Sequence, residues 1–403
     1  MRKIKCRIYI RIMMSVLRNH EFSFLSISFI ISFSLQLMGA YLILWFYSIG
    51  LSFAEIGLIT SIYMILTLPV DVLSSAFADK YGRLKIFSIG TLIYSLGLIS
   101  LSILLSPIFV LLSYGIMGIG LGIYSNTLEA WIVDSLNSRE KVPKIFSRQQ
   151  IVNGISGFLG NILAGIFVLL YHRLNLPILI AGFIMLLSLP IALFSEDNKG
   201  EKIMASPARR IMKEGVKYAL SKRPLLALLV SAIFTVFPLV AWMQFVSPYV
   251  VDVLGFPQKY WGFILSAYFL TVALGGYINE KLLKRVNHRL ITIFSVFLLS
   301  LFVLMLSISN LILILLLLFG LSLIYPIRSS SIISWENELI PSNYRATMLS
   351  SFSFIIRIAY MLVPPLIGYL IGSYGYSFTY LVVGILSLVG VIPLVIAHEA
   401  KAL

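Results

Sequence analysis

The chain has little charge, one cysteine and four histidines among its 403 residues. Charged residues make up 12% of it, whereas a soluble protein carries about 25%. The single Cys6 excludes an internal disulfide framework and a thiolate metal site. All four histidines lie outside the long apolar runs, so those runs hold no His-carboxylate or Cys-His cluster. These absences argue against a soluble enzyme, a metalloenzyme and a membrane-embedded protease.

Two further motif classes are missing. No Gly-xxxx-Gly-Lys-Ser/Thr segment occurs, so the sequence implies no ATP-driven step and no cofactor. No ring of charges or filter-like segment indicates a channel.

Long apolar runs dominate what is present. Hydrophobic residues make up 59% of the chain, and a membrane span needs about 20 such residues. The runs predict an all-α membrane protein with 12 transmembrane helices in two pseudo-symmetric six-helix bundles. The predicted spans are 22–48, 54–78, 86–105, 108–134, 147–170, 176–194, 224–247, 259–279, 290–307, 311–334, 347–371 and 375–396.

The net charge of +15 follows the loops between these runs. Only Arg173 and Lys259 lie at one set of run ends, and only Arg328 and Arg357 lie deep inside runs, far from either end. All other lysines and arginines fall at the opposite ends or near the termini. By the positive-inside rule, this bias predicts a multi-pass protein of the plasma membrane with both termini in the cytoplasm. It gives no reason to expect a nucleic-acid partner.

The loops divide the chain into five predicted regions. Residues 1–21 form a basic N-terminal segment at the membrane surface, and 22–194 form the first bundle. The linker 195–223 contains a surface helix that begins near Ser206-Pro207. Residues 224–396 form the second bundle, and 397–403 form a cytoplasmic tail.

The two bundles repeat weakly in sequence. Segment 75–80 (Ser-x-x-x-Asp-Lys) recurs 201 residues later as 276–281 (Gly-x-x-x-Glu-Lys). Segment 130–134 (Ala-Trp-x-x-Asp) recurs 204 residues later as 334–338 (Ser-Trp-x-x-Glu). Two patterns at nearly one offset, each at a predicted cytoplasmic helix end, indicate an internal duplication.

Segment 75–85, Ser-x-x-x-Asp-Lys-x-Gly-Arg-x-Lys, resembles the loop 2–3 signature of the major facilitator superfamily, Gly-xxx-Asp-(Arg/Lys)-x-Gly-Arg-(Arg/Lys). It departs from that signature at Ser75 and in the one-residue shift of the last base. The twelve spans, the repeat and the long middle loop resemble the family too. The resemblance implies transport by alternating access, in which two bundles rock around a midplane cavity.

The resemblance also implies a cytoplasmic gate. Asp79 would meet the N-terminus of span 11, where a helix dipole favours an anion, and Arg83 would pair with Asp134. Segment 335–350 resembles the family's loop 10–11 signature, with Glu338 holding Arg345. The full predicted gate comprises Asp79, Lys80, Gly82, Arg83, Asp134, Glu338 and Arg345. The alternative is a solvated turn that only fixes topology.

Four charged residues lie inside predicted spans and away from the span ends: Asp71, Glu129, Arg328 and Arg357. A charge in lipid is costly, so each is expected to face a cavity or a partner. The resemblance implies a cavity pair, Glu129–Arg328, and an interface pair, Asp71–Arg357. Glu129 or Asp71 would then take up the coupling proton. Two permanent salt bridges are the alternative, and capture of an anionic substrate by the arginines is a third.

The span 4 segment 125–136 resembles the Ser-Gly-xx-Glu-Ala-xxx-Asp-Ser-Leu pattern of drug-efflux-like members, with Asn126 in place of Gly. The span 5 Gly-Pro-xx-Gly-Gly pattern of drug antiporters appears only as Gly160-Asn161-xx-Ala164-Gly165, without its proline, which weakens that link. Arg328, Arg357 and uncharged polar or aromatic side chains are the predicted substrate contacts: Gln36, Asn126, Trp242, Gln244, Tyr325 and Tyr360.

The predicted function is therefore secondary active transport of a small organic solute, as proton-coupled efflux by a monomer in the bilayer. Uptake or exchange of a small organic anion bound by Arg328 and Arg357 is the alternative within transport. A non-transporting membrane receptor is the alternative of another class. The expected partners are the solute, protons and lipid.

Overall fold

The computed structural model describes residues 19–103, 105–136, 141–199, 222–340 and 345–399. Most of the predicted N-terminal segment, the linker helix near Ser206 and the last four residues lie outside this part. Every regular element in the described ranges is helical. Eleven of these helices are long and apolar enough to cross a membrane. The predicted all-α membrane fold is therefore confirmed.

The helices follow the predicted spans. The first six spans are formed by His20–Gly39 with Leu42–Ser48, Phe53–Tyr81, Arg83–Ile103, Pro107–Tyr124 with Thr127–Ser135, Lys141–Tyr171, and Asn175–Leu186 with Ser188–Phe194. The last six are formed by Arg223–Pro248 with the π-helical turn Tyr249–Val253, the 3₁₀ turn Gln258–Tyr260 with Trp261–Leu283, His288–Met305, Leu311–Leu339, Arg345–Val389, and Ile392–Glu399.

Arg345–Val389 accounts for the difference between eleven helices and twelve spans. Gly375, inside this run, has φ 80° and ψ 174°, which is not helical. Glycine adopts such a positive φ readily because it has no Cβ. Two helices therefore meet at Gly375, and the sequence places the start of span 12 at the same residue.

By their internal contacts the residues form two compact units, Met1–Trp45 with Ile62–Ile203, and Phe46–Ser61 with Met204–Leu403. The break after Ile203 falls inside the predicted linker. Phe46–Ser61, which the sequence assigns to the first bundle, belongs to the second unit. Its Phe53 ring explains this, since it packs 5.4 Å from the ring of Tyr376 and 6.3 Å from that of Phe245.

In the first unit, small residues bring span 4 close to span 2. A Cβ on Gly118 would lie 2.6 Å from the carbonyl oxygen of Tyr63. Thr67 donates a hydrogen bond to the Gly118 carbonyl at 2.9 Å, and Ser74 donates to the Gly122 carbonyl at 2.8 Å. Such small-residue contacts and interhelical hydroxyl bonds are the usual means of helix association in lipid. They fix the face of span 2 that carries Asp71.

In the second unit, Ser61 of span 2 contacts span 11 beside Pro364-Pro365. Pro365 has no N–H, so the carbonyl of Met361, four residues earlier, loses its helical donor. Ser61 Oγ lies 2.5 Å from that carbonyl oxygen and supplies a hydrogen bond. A Cβ on Gly57 would clash with the Pro364 carbonyl, so the two helices touch through a glycine.

Candidate functional site

Span 4 is broken in its interior. Pro107–Tyr124 ends, Asn126 adopts the left-handed region with φ 60° and ψ −20°, and Thr127–Ser135 begins. Asparagine tolerates this conformation better than most residues with a Cβ. Discontinuous helices are a common way for transporters to place backbone and polar groups at a binding site. The sequence alone did not predict this break, although Ser-Asn-Thr within an apolar run is its signal.

Asp71 of span 2 accepts hydrogen bonds from the two polar side chains at the break. Its Oδ1 accepts hydrogen bonds from Ser125 Oγ at 2.9 Å and from Asn126 Nδ2 at 3.0 Å. A carboxylate beside the start of the second helical segment is also favoured by that helix's dipole. The predicted partner, Arg357, belongs to the other unit, so the Asp71–Arg357 pair stays a prediction.

Glu129 lies in the first turn of the segment that follows the break. Its neighbours Leu128, Trp131 and Ile132 are buried in the first unit, whereas Glu129 itself is exposed. The helix therefore turns this carboxylate away from the unit's core. The predicted Glu129–Arg328 pair would join two units and stays a prediction.

Arg328 is the most buried charged residue among those described, with 8% of its surface exposed. It lies 11 residues before Leu339, the end of span 10, which corresponds to roughly 16 Å along the helix. Its Nη2 donates a 2.6 Å hydrogen bond to Thr235 Oγ1 of span 7. Its Nε has no hydrogen-bond partner in the described part of the chain. A buried guanidinium with an unused donor is suited to binding an anionic group.

Two tyrosines and a carboxylate act on this cation, and further aromatic rings pack beside one of the tyrosines. Arg328 interacts electrostatically with Tyr325, Tyr360 and Glu336. The Trp242 ring lies 6.2 Å from that of Tyr325 and 5.9 Å from that of Tyr268. The structure thus brings together three of the predicted substrate contacts with Arg328. Thr235, Tyr268 and Glu336 are members that the sequence prediction missed.

The other predicted contacts lie elsewhere. Gln36 of span 1 is half-buried, and a Cβ on Gly160 of span 5 would lie 3.2 Å from its Cβ. Gln244 Oε1 is buried and has no hydrogen-bond partner among the described residues. Arg357 is exposed within its unit.

At the basic end of the first unit, the Arg83 guanidinium binds several acceptors. Its Nη1 lies 2.7 Å from an Asp134 carboxylate oxygen, and the same atom donates to the Ala130 carbonyl. Its Nη2 lies 3.3 Å from Asp79 Oδ1. The expected Arg83–Asp134 ion pair is therefore present. The docking of Asp79 on span 11 concerns two units and stays a prediction, as does the role of these residues in gating.

A short segment after span 6, Glu196–Asn198, closes over this cluster. Asp197 accepts hydrogen bonds from the backbone N–H groups of Leu84 at 2.8 Å and Lys85 at 3.3 Å. These are first-turn donors of span 3, which have no partner within the helix. Asn198 Nδ2 donates to the Trp131 carbonyl at 2.9 Å. The sequence prediction missed this segment because no local pattern links residue 197 to residue 84.

Gly82 and Lys80 complete the predicted turn. Gly82 has φ 114°, and a Cβ there would collide with the Asp197 carboxylate. Both the backbone conformation and the lack of space therefore require glycine at this position. The Lys80 ammonium lies 4.9 Å from the centre of the Tyr81 ring.

The basic end of the second unit contains a matching ion pair. Glu338 at the end of span 10 binds Arg289 at the start of span 9, with Nε 3.2 Å from Oε2. His288 Nε2 lies 2.6 Å from the same Oε2. The side chain of Arg345, the partner predicted for Glu338, lies outside the described residues.

Within the described ranges, no group of three His, Cys, Asp or Glu side chains could hold a metal ion.

Comparison with solved structures finds many transporters of this architecture. The nucleoside transporter NupG matches with a TM-score of 0.78 at 14% identity, covering 94% of this chain and 99% of that one. A bacterial homologue of the human lysosomal transporter Spinster, inward-facing and unoccupied, matches with 0.69 at 15% identity and 95% of each chain. A POT family transporter in complex with 5-aminolevulinic acid matches with 0.72 at 14% identity, covering 93% and 95%.

No curated protein matches the sequence. The family model described as Major Facilitator Superfamily matches residues 24–359 and 259–402. The fold and this match define a multi-pass membrane transporter rather than an enzyme. The chain belongs to the major facilitator superfamily. At these identities the solved neighbours show its fold alone and do not support the drug-efflux-like branch over others.

Proposed function

We propose that the protein is a secondary transporter, working by alternating access, for a small organic solute that carries an anionic group and an apolar or aromatic part. Arg328 is the observation that carries this proposal. Its burial makes its charge costly, and Glu336 interacts with it electrostatically without a salt bridge among the described residues. Its Nε, which has no hydrogen-bond partner there, leaves a donor for an incoming carboxylate. The rings of Trp242, Tyr268 and Tyr325 supply an apolar surface for the rest of the solute.

Proton coupling is assigned to Glu129. The carboxylate is exposed on its unit instead of packed in its core, and it follows directly on the broken turn of span 4. Asp71 already accepts two hydrogen bonds at that turn and serves mainly to hold it. A proton that binds Glu129 would change the charge near the break during transport.

Proton-coupled export of amphipathic compounds is the second candidate. The exposure of Glu129 and the aromatic cluster favour it without requiring an anionic substrate. In both cases we expect the basic ends of the spans to face the cytoplasm of the cell, because of the charge bias in the loops.

Transport into proteoliposomes separates the two candidates. The probes are small aromatic and aliphatic carboxylates, each with its neutral amide, beside a set of lipophilic cations. The anion proposal expects Arg328→Ala to abolish transport of carboxylates and to leave lipophilic cations unaffected. Transport of lipophilic cations but of no carboxylate by the unmodified protein would favour the export candidate instead.

A further inference from the structure

A large apolar groove lies on the second unit, and Arg328 is not among the residues that line it. It has a volume of about 740 Å³ and lies between spans 8, 9, 10 and 12. Its lining includes Leu282, Val286, Leu290, Phe294, Ile327 and Val395. Its size falls within the range of about 300–1,000 Å³ typical of ligand sites.

The chemistry of the lining selects the occupant of the groove. Ser295 is its only residue with a polar side chain, and that hydroxyl already donates to the Thr292 carbonyl at 3.0 Å. A polar solute would find no group there to fix its orientation. Leu290 and Phe294 are 48% and 62% exposed, so the groove opens to the side of the helix bundle. A hydrocarbon chain is the ligand that suits such a lining.

The mouth of the groove is basic. Lys281, Lys284, Arg285, His288 and Arg289 lie in nine consecutive residues at this end of spans 8 and 9. Lys284 forms a salt bridge with Glu280 at 2.7 Å, and Glu338 pairs with both His288 and Arg289. That leaves two cations that form no salt bridge among the described residues, although one of them, Lys281, also interacts electrostatically with Glu280.

These two cations are Lys281 and Arg285, and both are exposed. The Lys281 ammonium lies 4.4 Å from the centre of the Tyr277 ring. Each is a chain neighbour of a groove residue, Leu282 and Val286 respectively. Positive charge and apolar lining therefore meet at one edge of the groove.

We propose that this groove binds an anionic phospholipid, with one acyl chain against spans 8 to 10 and 12 and the phosphate held by Lys281 and Arg285. Anionic lipids are concentrated in the cytoplasmic leaflet, and basic pockets between helices at that face bind their headgroups. The proposal takes its orientation from the charge bias of the loops. It is independent of the solute that Arg328 binds.

Native mass spectrometry of the purified full-length chain tests the site. The protein is incubated with an equimolar mixture of dioleoyl phosphatidylglycerol and dioleoyl phosphatidylcholine. The expected result is preferential retention of the anionic lipid. Lys281→Gln and Arg285→Gln should each lower that preference about fivefold. This is the change in binding that corresponds to the roughly 1 kcal/mol that one basic side chain contributes near anionic lipid. Leu290→Trp should reduce binding of both lipids by filling the groove.

Lys259→Gln is the matched control, because this lysine also lies over a tyrosine ring, at 5.1 Å from that of Tyr260, but at the opposite end of span 8. It should leave the preference unchanged. Equal retention of the two lipids by the unmodified protein would overturn the proposal. A loss of preference in Lys259→Gln as large as that in Lys281→Gln would overturn it too. So would Leu290→Trp, if it changed only the proportion of dimer and left lipid binding unchanged. If a charge variant fails to fold, Leu290→Trp still tests the acyl half.

Discussion

The Arg83 guanidinium lies 2.7 Å from the carboxylate of Asp134 and is itself largely buried. The second unit repeats the arrangement with Arg289 and Glu338, which connect the start of span 9 to the end of span 10. Asp134 and Glu338 each lie three residues after a fully buried tryptophan. The second of the two sequence repeats thus coincides with an ion pair that occurs in both units.

Arg83→Leu should destabilise the protein by about 1–3 kcal/mol, because Asp134 and the Ala130 carbonyl lose their donor. Arg83→Lys should recover only part of this, since an ammonium lacks the guanidinium fork. Thermal unfolding in detergent measures both. Lys80→Leu, which removes an exposed cation over Tyr81, is the control and should change little. Equal falls in melting temperature for Arg83→Leu and Lys80→Leu would contradict a stabilising role for the buried Arg83 side chain.

Asp197→Ala should cost about 1 kcal/mol, the usual value of a lost helix cap. The first-turn N–H groups of Leu84 and Lys85 would lose the carboxylate that binds them. Thermal unfolding of this variant is compared with that of Lys199→Ala, an exposed position two residues later. An unchanged melting temperature for Asp197→Ala would show that the segment does not cap span 3.

The sequence predicts the fold well because span length and charge bias are local properties that lipid enforces on every helix. The Arg83–Asp134 pair follows from the family resemblance for a similar reason, since both residues lie in short patterns at helix ends. Asp197 could not be predicted because its partners are backbone groups more than a hundred residues earlier. The break at Asn126 depends on backbone conformation, which one asparagine indicates only weakly.

The second-unit site was predicted in part. Arg328 was evident because an arginine in an apolar run is rare. Thr235 was not, because a threonine in a span usually bonds its own helix. Phe46–Ser61 was assigned to the first bundle because chain order was the only guide. Its contacts within the second unit depend on the packing of Phe53 and on the Met361 carbonyl that Pro365 leaves without a helical donor.

Gly368→Ala and Gly372→Ala form a matched pair one turn apart on span 11. A Cβ at Gly368 would collide with the Phe53 carbonyl, whereas one at Gly372 meets nothing within 4 Å. Gly368→Ala should therefore destabilise the protein by about 1–3 kcal/mol through overpacking. Gly372→Ala should be neutral or slightly stabilising, because alanine is the better helix former. The reverse order of melting temperatures would contradict the contact between Phe53 and span 11.

Glu129→Gln should remove the proton dependence of transport while binding of the solute persists, because glutamine keeps the shape of the side chain and cannot titrate. Solute flux into proteoliposomes, with and without a pH gradient, measures this. Glu280→Gln, which changes an exposed carboxylate paired with Lys284, is the control and should behave like the unmodified protein. Full proton dependence in Glu129→Gln would remove its coupling role.

The most direct test of the account is ligand-dependent thermal stabilisation of the purified protein and of Arg328→Ala. The probes are small aromatic carboxylates, each paired with its neutral amide. At least one carboxylate should stabilise the unmodified protein more than its amide does, and Arg328→Ala should weaken its binding about ten- to a hundredfold. Thr235→Val should retain the preference, because it removes only a neutral partner of the arginine. Carboxylate preference that survives intact in Arg328→Ala would contradict the proposal that this buried cation binds the solute.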